Sequence, residues 1–229
     1  MDLYQWEGFW YTLPWLQAAI AAQSDFIAQD DDVILASPTK AGSTWLKALI
    51  PCIMMSNNYN NNDDPLIENH PNDLMPSLEF QIFKTNNSNY YNYLSNSSTT
   101  SSPRLFRTHV PYSMLSESIK KSGCKIVYIT RDPKDVFVSL WYFMNSATRR
   151  PDGESETEPY PVEKGFDSFC RGVHIFGPFH DHVLEYWKES LARPEKILFL
   201  RYEEMKKDPR KLERHTPMHS SYVNDSYLV

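Results

Sequence analysis

The sequence predicts an α/β protein in which a parallel β-sheet is flanked by helices. Two observations carry that prediction. Four short apolar runs recur along the chain, and helical patterns lie between them. Strands alternating with helices pair in parallel, because a parallel pair needs a long crossover that a helix supplies. Such sheets are covered on both faces and bind ligands beyond the carboxyl ends of their strands.

The elements follow in order. Val33-Ile34-Leu35-Ala36 reads as a buried strand, and a helix over 44–55 follows it. Leu105-Phe106-Arg107 is the second strand, followed by a helix over 113–121. Ile126-Val127-Tyr128-Ile129 is the third, with a helix over 134–145 after it. A last helix over 179–191, closed by Pro194, precedes the strand Ile197-Leu198-Phe199-Leu200. The Asn-rich stretch 56–64 and the Asn/Ser/Thr/Tyr stretch 86–102 read as loops. Residues 149–163 carry Pro, Gly and acids, and form either a lid over a ligand or a plain solvated loop.

Composition narrows the function. A chain of 229 residues with 41% hydrophobic and 14% aromatic content supports one well-buried domain. A net charge of −6 argues against nucleic-acid binding, whose footprint is basic. Three scattered cysteines make no disulfide framework and no CxxC metal pair, which points to a reducing compartment. The first 39 residues hold no Lys or Arg, and Pro14 and Gln17 interrupt the apolar stretch, so neither a secretory signal nor a membrane helix is expected. The expected location is the cytoplasm, with no membrane partner. Asn86, Asn96 and Asn224 open glycosylation patterns that this location leaves unused.

Three stretches carry chemistry. In the first, Asp32 to Lys47, a strand ends, a turn with Pro38, Lys40 and Gly42 follows, and a helix opens at Ser43 and Thr44. A helix N-terminus with nearby hydroxyls and a lysine makes an anion cradle. The plainer reading is a strand-to-helix turn with a Ser/Thr cap. Because the lysine precedes the glycine, the stretch is not a Walker A loop, which counts against a nucleotide kinase. In the second stretch, His109 follows a strand and Pro111 holds the turn extended. A histidine there suits proton removal from a hydroxyl. Arg107 lies two residues earlier, facing either the site or elsewhere. His174, His180, His182 and His215 match no metal-ligand spacing, so no metal is expected. In the third stretch, Arg131 leaves a strand, Pro133 suits a first helical turn and Ser139 lies within the helix. Arginine and serine donors suit a phosphate, while Asp132 and Asp135 equally suit a salt-bridged turn.

Together these residues resemble the cytosolic sulfotransferase family, in its plant branch. Lys40 to Trp45 resembles the family's 5′-phosphosulfate loop, PK[ST]G[ST]TW, and the likeness runs on through Leu46-Lys47-Ala48-Leu49. The chain departs in having Pro38-Thr39-Lys40, where the family has proline directly before the lysine. Thr108-His109-Val110-Pro111 resembles the family's catalytic T-H-[LV]-P, and Tyr128 to Ser139 resembles Y-[IV]-x-R-[DN]-P-K-D-x-x-V-S. The stretches 166–172, 186–190 and 199–205 are similar as well.

The resemblance implies a P-loop-NTPase-like sulfotransferase fold. It implies 3′-phosphoadenylyl sulfate as co-substrate, and a small hydroxylated acceptor of flavonoid, steroid, jasmonate or glucosinolate-precursor type. It makes His109 the general base and Lys40 a catalytic cation. Lys40, Ala41, Gly42, Ser43, Thr44 and Trp45 would hold the donor's 5′ side and adenine, Arg131 and Ser139 its 3′-phosphate, and Tyr202 would lie near the adenine. The likeness stops near Pro209, whereas the family continues with a further phosphate-gripping stretch and a dimerisation segment. The expectation is therefore a partial sulfotransferase domain over 1–209, incomplete at its C-terminal side, and a divergent tail over 210–229. The oligomeric state stays open, and an inactive relative that binds nucleotide or partners without turnover is the alternative.

Overall fold

The structure, a computed structural model, describes residues 2–55, 65–84, 103–146 and 158–208. The expected loops 56–64 and 86–102, most of 149–163 and the tail 210–229 lie outside the described residues.

Four strands form one parallel sheet: β3 (Val33–Ala36), β4 (Leu105–Thr108), β5 (Lys125–Thr130) and β6 (Ile197–Arg201), in the order β4-β3-β5-β6. All four fall where the apolar runs place them. Their side chains alternate between two buried faces. Ile34, Phe106, Ile126, Tyr128 and Ile197 point into one core, Val33, Leu35, Leu105, Val127 and Leu200 into the other. Register agrees with this, since Val33 opposes Leu105 and Ile34 opposes both Phe106 and Ile126.

Helix α1 (Leu13–Asp25) buries Ala18, Ala19 and Ala22 against the first face. Helix α2 (Ser43–Met55) buries Leu46 and Ile50 against the second. Short helices α3 (Pro65–Glu68) and α4 (Pro71–Leu74) and a π-helical turn, Leu78–Ile82, lead towards β4. After β4 come α5 (Glu117–Lys121), then β5 and α6 (Pro133–Ser146), α7 (Val162–Cys170), α8 (Phe179–Ala192), β6 and α9 (Tyr202–Lys207). The chain leaves β3 towards β4 on one side, and leaves β5 towards β6 on the other. The carboxyl ends of β3 and β5 therefore flank the crevice where such sheets bind ligands.

Some sequence expectations are corrected. The helix expected over 113–121 is broken. Tyr112–Met114 is a 3₁₀ turn, Leu115 is extended, and α5 starts afresh because the Ser116 hydroxyl accepts from the Ile119 N–H at 3.2 Å. The end of the loop expected over 149–163 is helical, since α7 begins at Val162. The N-terminal hairpin β1 (Tyr4–Trp6) and β2 (Phe9–Tyr11) and helix α1 were not anticipated. The hairpin turns through Glu7 and Gly8, both at positive φ, the geometry of a two-residue turn. Pro14 does not interrupt α1, because a proline in the first turn lacks only a donor that the helix leaves unused.

A buried ion pair ties the amino ends of β3 and β4. Arg104 donates from Nε to Asp32 Oδ1 at 2.7 Å and from an η nitrogen to Oδ2 at 2.6 Å. The Gln29 N–H also donates to Asp32 at 2.8 Å. Removing one partner of a buried pair leaves the other charge stranded, so Asp32→Ala should lower stability by about 3–5 kcal/mol in urea unfolding. A loss under about 1 kcal/mol would mean the pair is solvated.

Candidate functional site

A cavity of about 870 Å³ opens past the carboxyl ends of β3, β4 and β5. Every expected site residue lines it except Ala41: Lys40, Gly42, Ser43, Thr44, Trp45, His109, Arg131, Ser139 and Tyr202. Ala41 instead packs its side chain with Val136, Phe137 and Leu140.

The turn after β3 is shaped by its backbone. The Ala41 N–H donates to the Pro38 carbonyl at 3.3 Å, closing a tight turn, and Lys40 inside it has φ +65°. A non-glycine residue is seldom found there. Gly42 has φ +108°, and a Cβ at that position would lie 2.5 Å from Cδ2 of Tyr202. Only glycine satisfies both conditions. Helix α2 then begins at Ser43 and aims its N-terminal N–H groups and positive dipole end at the cavity. The Lys40 ammonium rests 4.5 Å from the centre of the Phe143 ring.

Arg131 leaves β5 opposite this turn. Its guanidinium bonds Asp135 at 2.9 Å and lies 4.7 Å from the centre of the Tyr202 ring. Its Nε is buried with no hydrogen-bond partner. The salt-bridged turn read from the sequence is thus real, yet it leaves a guanidinium donor unused beside the cavity. Trp45 and Tyr202 face each other at 6.3 Å.

His109 ends β4. Its Nδ1 lies 2.9 Å from the Ser37 carbonyl, which only accepts, so Nδ1 carries the proton and Nε2 the lone pair. Burial is the main cause that lowers its pKa from 6.5 to about 4. The Ser37 bond opposes this, and the charges of Arg107, Lys47 and Lys40 lower it further. Arg107, whose direction the sequence left open, also lines the cavity, held by the Met75 carbonyl and Gln81 at 3.1 Å each.

Several lining residues escaped the sequence reading. Lys47 donates to Asn72 Oδ1 at 2.6 Å, and burial first, then Arg107 and Lys40, lower its pKa to about 8. Its place one helical turn past Ser43 was a usable signal. Lys206 adds a further cation. Trp15, Phe80, Phe143, Met144 and Ile175 make an apolar flank, and they come from distant segments with no shared motif. A second cavity of about 480 Å³ shares Leu140, Met144 and Ile175 with the first and runs between α6 and α7. Of the histidines set aside as metal ligands, His182 is fully buried and bonds the His109 carbonyl and the Tyr128 hydroxyl, while His174 stacks on Phe169. His180 is exposed on α8, and His215 lies outside the described residues.

Comparison with known proteins places this arrangement. The sulfotransferase domain family model matches residues 30–213. Cytosolic sulfotransferase 12 and cytosolic sulfotransferase 5 of Arabidopsis thaliana are 40% and 44% identical to the chain over 209 residues. Each alignment covers 90% of this chain but only 60% and 61% of those proteins, so the chain spans about 60% of their length. Among solved structures, a putative steroid sulphotransferase of Arabidopsis thaliana is 36% identical with a TM-score of 0.79, over 99% of this chain and 73% of that one. A mouse sulfotransferase complexed with PAP is 27% identical with a TM-score of 0.67, over 98% of this chain and 70% of that one.

The half-buried, cation-ringed setting of His109 makes a direct prediction. Ring-nitrogen NMR should show a single Nδ1–H form at pH 7 and a titration midpoint near 4, because burial and neighbouring positive charge both disfavour the imidazolium. A midpoint near 6.5 would mean a solvated ring.

Proposed function

Because the chain belongs to the sulfotransferase family, we propose that it moves the sulfuryl group of 3′-phosphoadenylyl sulfate to the hydroxyl of a small acceptor. One observation carries this reading. Three strand ends bring Lys40, His109 and Arg131 to a single cavity, with the imidazole lone pair on Nε2.

The residues present fit the donor. The cradle at Gly42 leaves no room for a Cβ, and the buried Nε of Arg131 lacks a partner that a phosphate oxygen supplies. The bound donor supplies a sulfuryl group activated by its anhydride bond to the 5′-phosphate. Lys40 and the N–H groups of α2 hold the 5′ side, with the Ser43 and Thr44 hydroxyls as further donors. Arg131 and Ser139 hold the 3′-phosphate, and Trp45 and Tyr202 flank the adenine. His109 Nε2 takes the proton of the acceptor hydroxyl as its oxygen bonds to sulfur, and the bond from sulfur to the 5′-phosphate oxygen breaks. The electron pair leaves on that oxygen, where Lys40 and the helix end stabilise it. Sulfuryl transfer resembles phosphoryl transfer, so positioning and charge stabilisation dominate. In this reading cations do that work and no metal takes part.

The acceptor lies against the apolar flank. Trp15, Phe80, Met144 and Ile175, with the adjoining apolar cavity, suit a flat, largely apolar alcohol, which favours flavonoid and steroid types over strongly polar ones. Jasmonate and glucosinolate-precursor acceptors remain arms of the assay. The relatives are named cytosolic, and we place this protein in the cytosol. No helix among the described residues is long and apolar enough to cross a membrane.

A transfer assay with labelled donor and a panel of phenols, steroids and other alcohols tests the reading. Absence of turnover with donor binding intact would mark the chain as a binder without catalysis. His109→Ala should lose about 10²–10⁴-fold in turnover and keep binding the 3′,5′-bisphosphate product in calorimetry. Loss of that binding would remove His109 from the role of base. Arg131→Ala should weaken the 3′,5′-bisphosphate far more than 5′-AMP, and equal weakening would defeat the 3′-phosphate assignment.

A further inference from the structure

His109 is held at its backbone on both sides as well as through its ring. Its N–H donates to Oε1 of Glu79 at 2.6 Å. Its carbonyl accepts from Nε2 of His182 at 3.0 Å, and the Tyr128 hydroxyl fixes that ring by donating to Nδ1 at 2.9 Å. Its own Nδ1–H donates to the Ser37 carbonyl. One bond restrains each side of the backbone and one restrains the ring, so Nε2 has a single direction left to face.

Glu79 is the costly member of this set. It is fully buried, and an ionised carboxylate in such a place is unfavourable unless donors surround it. Burial raises its pKa. Its own backbone N–H, the His109 N–H, the Thr108 hydroxyl and the charge of Arg107 oppose the rise. The fork of the carboxylate spans two successive residues, since Oε2 accepts from the Thr108 hydroxyl at 3.0 Å. The Thr108 oxygen in turn accepts from the Val110 N–H at 3.2 Å. One side chain therefore holds the whole strand end 108–110. It is carried by the π-helical turn Leu78–Ile82, which β4 grips through the Arg107 N–H to Pro76 carbonyl bond at 3.1 Å. The next residue, Phe80, lines the cavity with its ring 5.7 Å from that of His109.

We propose that Glu79 is the positioning residue for the base: its carboxylate sets the backbone of Thr108 and His109 so that the imidazole faces the acceptor hydroxyl beside Phe80. The proposal rests on the reading of His109 as general base. Glu79 touches no reacting atom, and its effect passes through His109. Reach matters here more than charge. Glutamine keeps the length, accepts from the His109 N–H and donates to the Thr108 oxygen. Aspartate keeps the charge but is one methylene too short to span both donors.

The test compares Glu79→Asp with Glu79→Gln in the full 229-residue chain. Glu79→Asp should lower kcat about 10–100-fold, the scale of a misplaced catalytic group, with donor KM and 3′,5′-bisphosphate binding within about twofold. Glu79→Gln should stay within about fivefold of the parent. In a His109→Ala background, Glu79→Asp should cause no further loss, because the two act as a unit. Ring-nitrogen NMR supplies a readout without turnover: the parent and Glu79→Gln should keep the single Nδ1–H form, and Glu79→Asp should show a mixture of tautomers. Equal losses in both variants, an additive loss on top of His109→Ala, an unchanged ring in Glu79→Asp, or loss of bisphosphate binding in Glu79→Asp would each overturn the proposal. Full turnover in His109→Ala alone would instead sink the assignment of the base. If the parent shows no turnover the proposed function fails, and the ring spectra still decide the role of Glu79.

Discussion

The parallel pairing of β3 with β5 is the constraint on which the site depends. Val33 opposes Lys125 and Ala36 opposes Tyr128, so both strands start at the same level and β5 runs two residues past the end of β3. The turn with Lys40 and the turn with Arg131 then stand side by side at the point where the chain connections diverge. The β3–β4 register does the same for His109, since Ala36 opposes Thr108. A slip of one residue in either pairing would exchange the two buried faces of a strand and carry its terminal side chain away from the cavity.

That convergence gathers positive charge in an otherwise acidic chain. Lys40, Lys47, Arg107, Arg131 and Lys206 share one cavity although the net charge is −6. Burial lowers the pKa values of Lys47 and His109, and the repulsion among these cations lowers them further. The nucleotide proposed above would relieve that repulsion. Burial first, and the same field after it, keep the imidazole neutral, the form the proposed role of base requires. Opposing charge enters in a limited way, through Asp135 on Arg131 and the buried Glu79 behind His109.

Most of the sheet and much of the site were legible in the sequence. The four strands are short apolar runs, and burial on both faces leaves them little freedom to read otherwise. Lys40, Gly42 and Arg131 stand at strand-to-helix turns whose local chemistry is unusual enough to notice, and Ser139 lies in the helix that follows the last of them. The errors have local causes as well. Ser116 restarts a helix that periodicity alone would have continued, and the helix that carries Pro14 in its first turn went unread. Trp15, Phe80, Met144 and Ile175 carry no motif, because an apolar flank assembled from four segments needs only size and place.

By itself the sequence determined the order of strands and helices, the strand-to-helix turns proposed to bind an anion and the family to which they belong. These depend on neighbouring residues, whose chemistry is set by covalent order. Tertiary structure decided which side of His109 carries the lone pair, where Arg107 points and what holds the His109 backbone in place. Ser37, Glu79 and His182 are far apart in the chain from one another, and Ser37 and His182 lie more than 70 residues from His109. A hydrogen bond between such groups exists only once the sheet has closed the distance, so no local pattern foretells it.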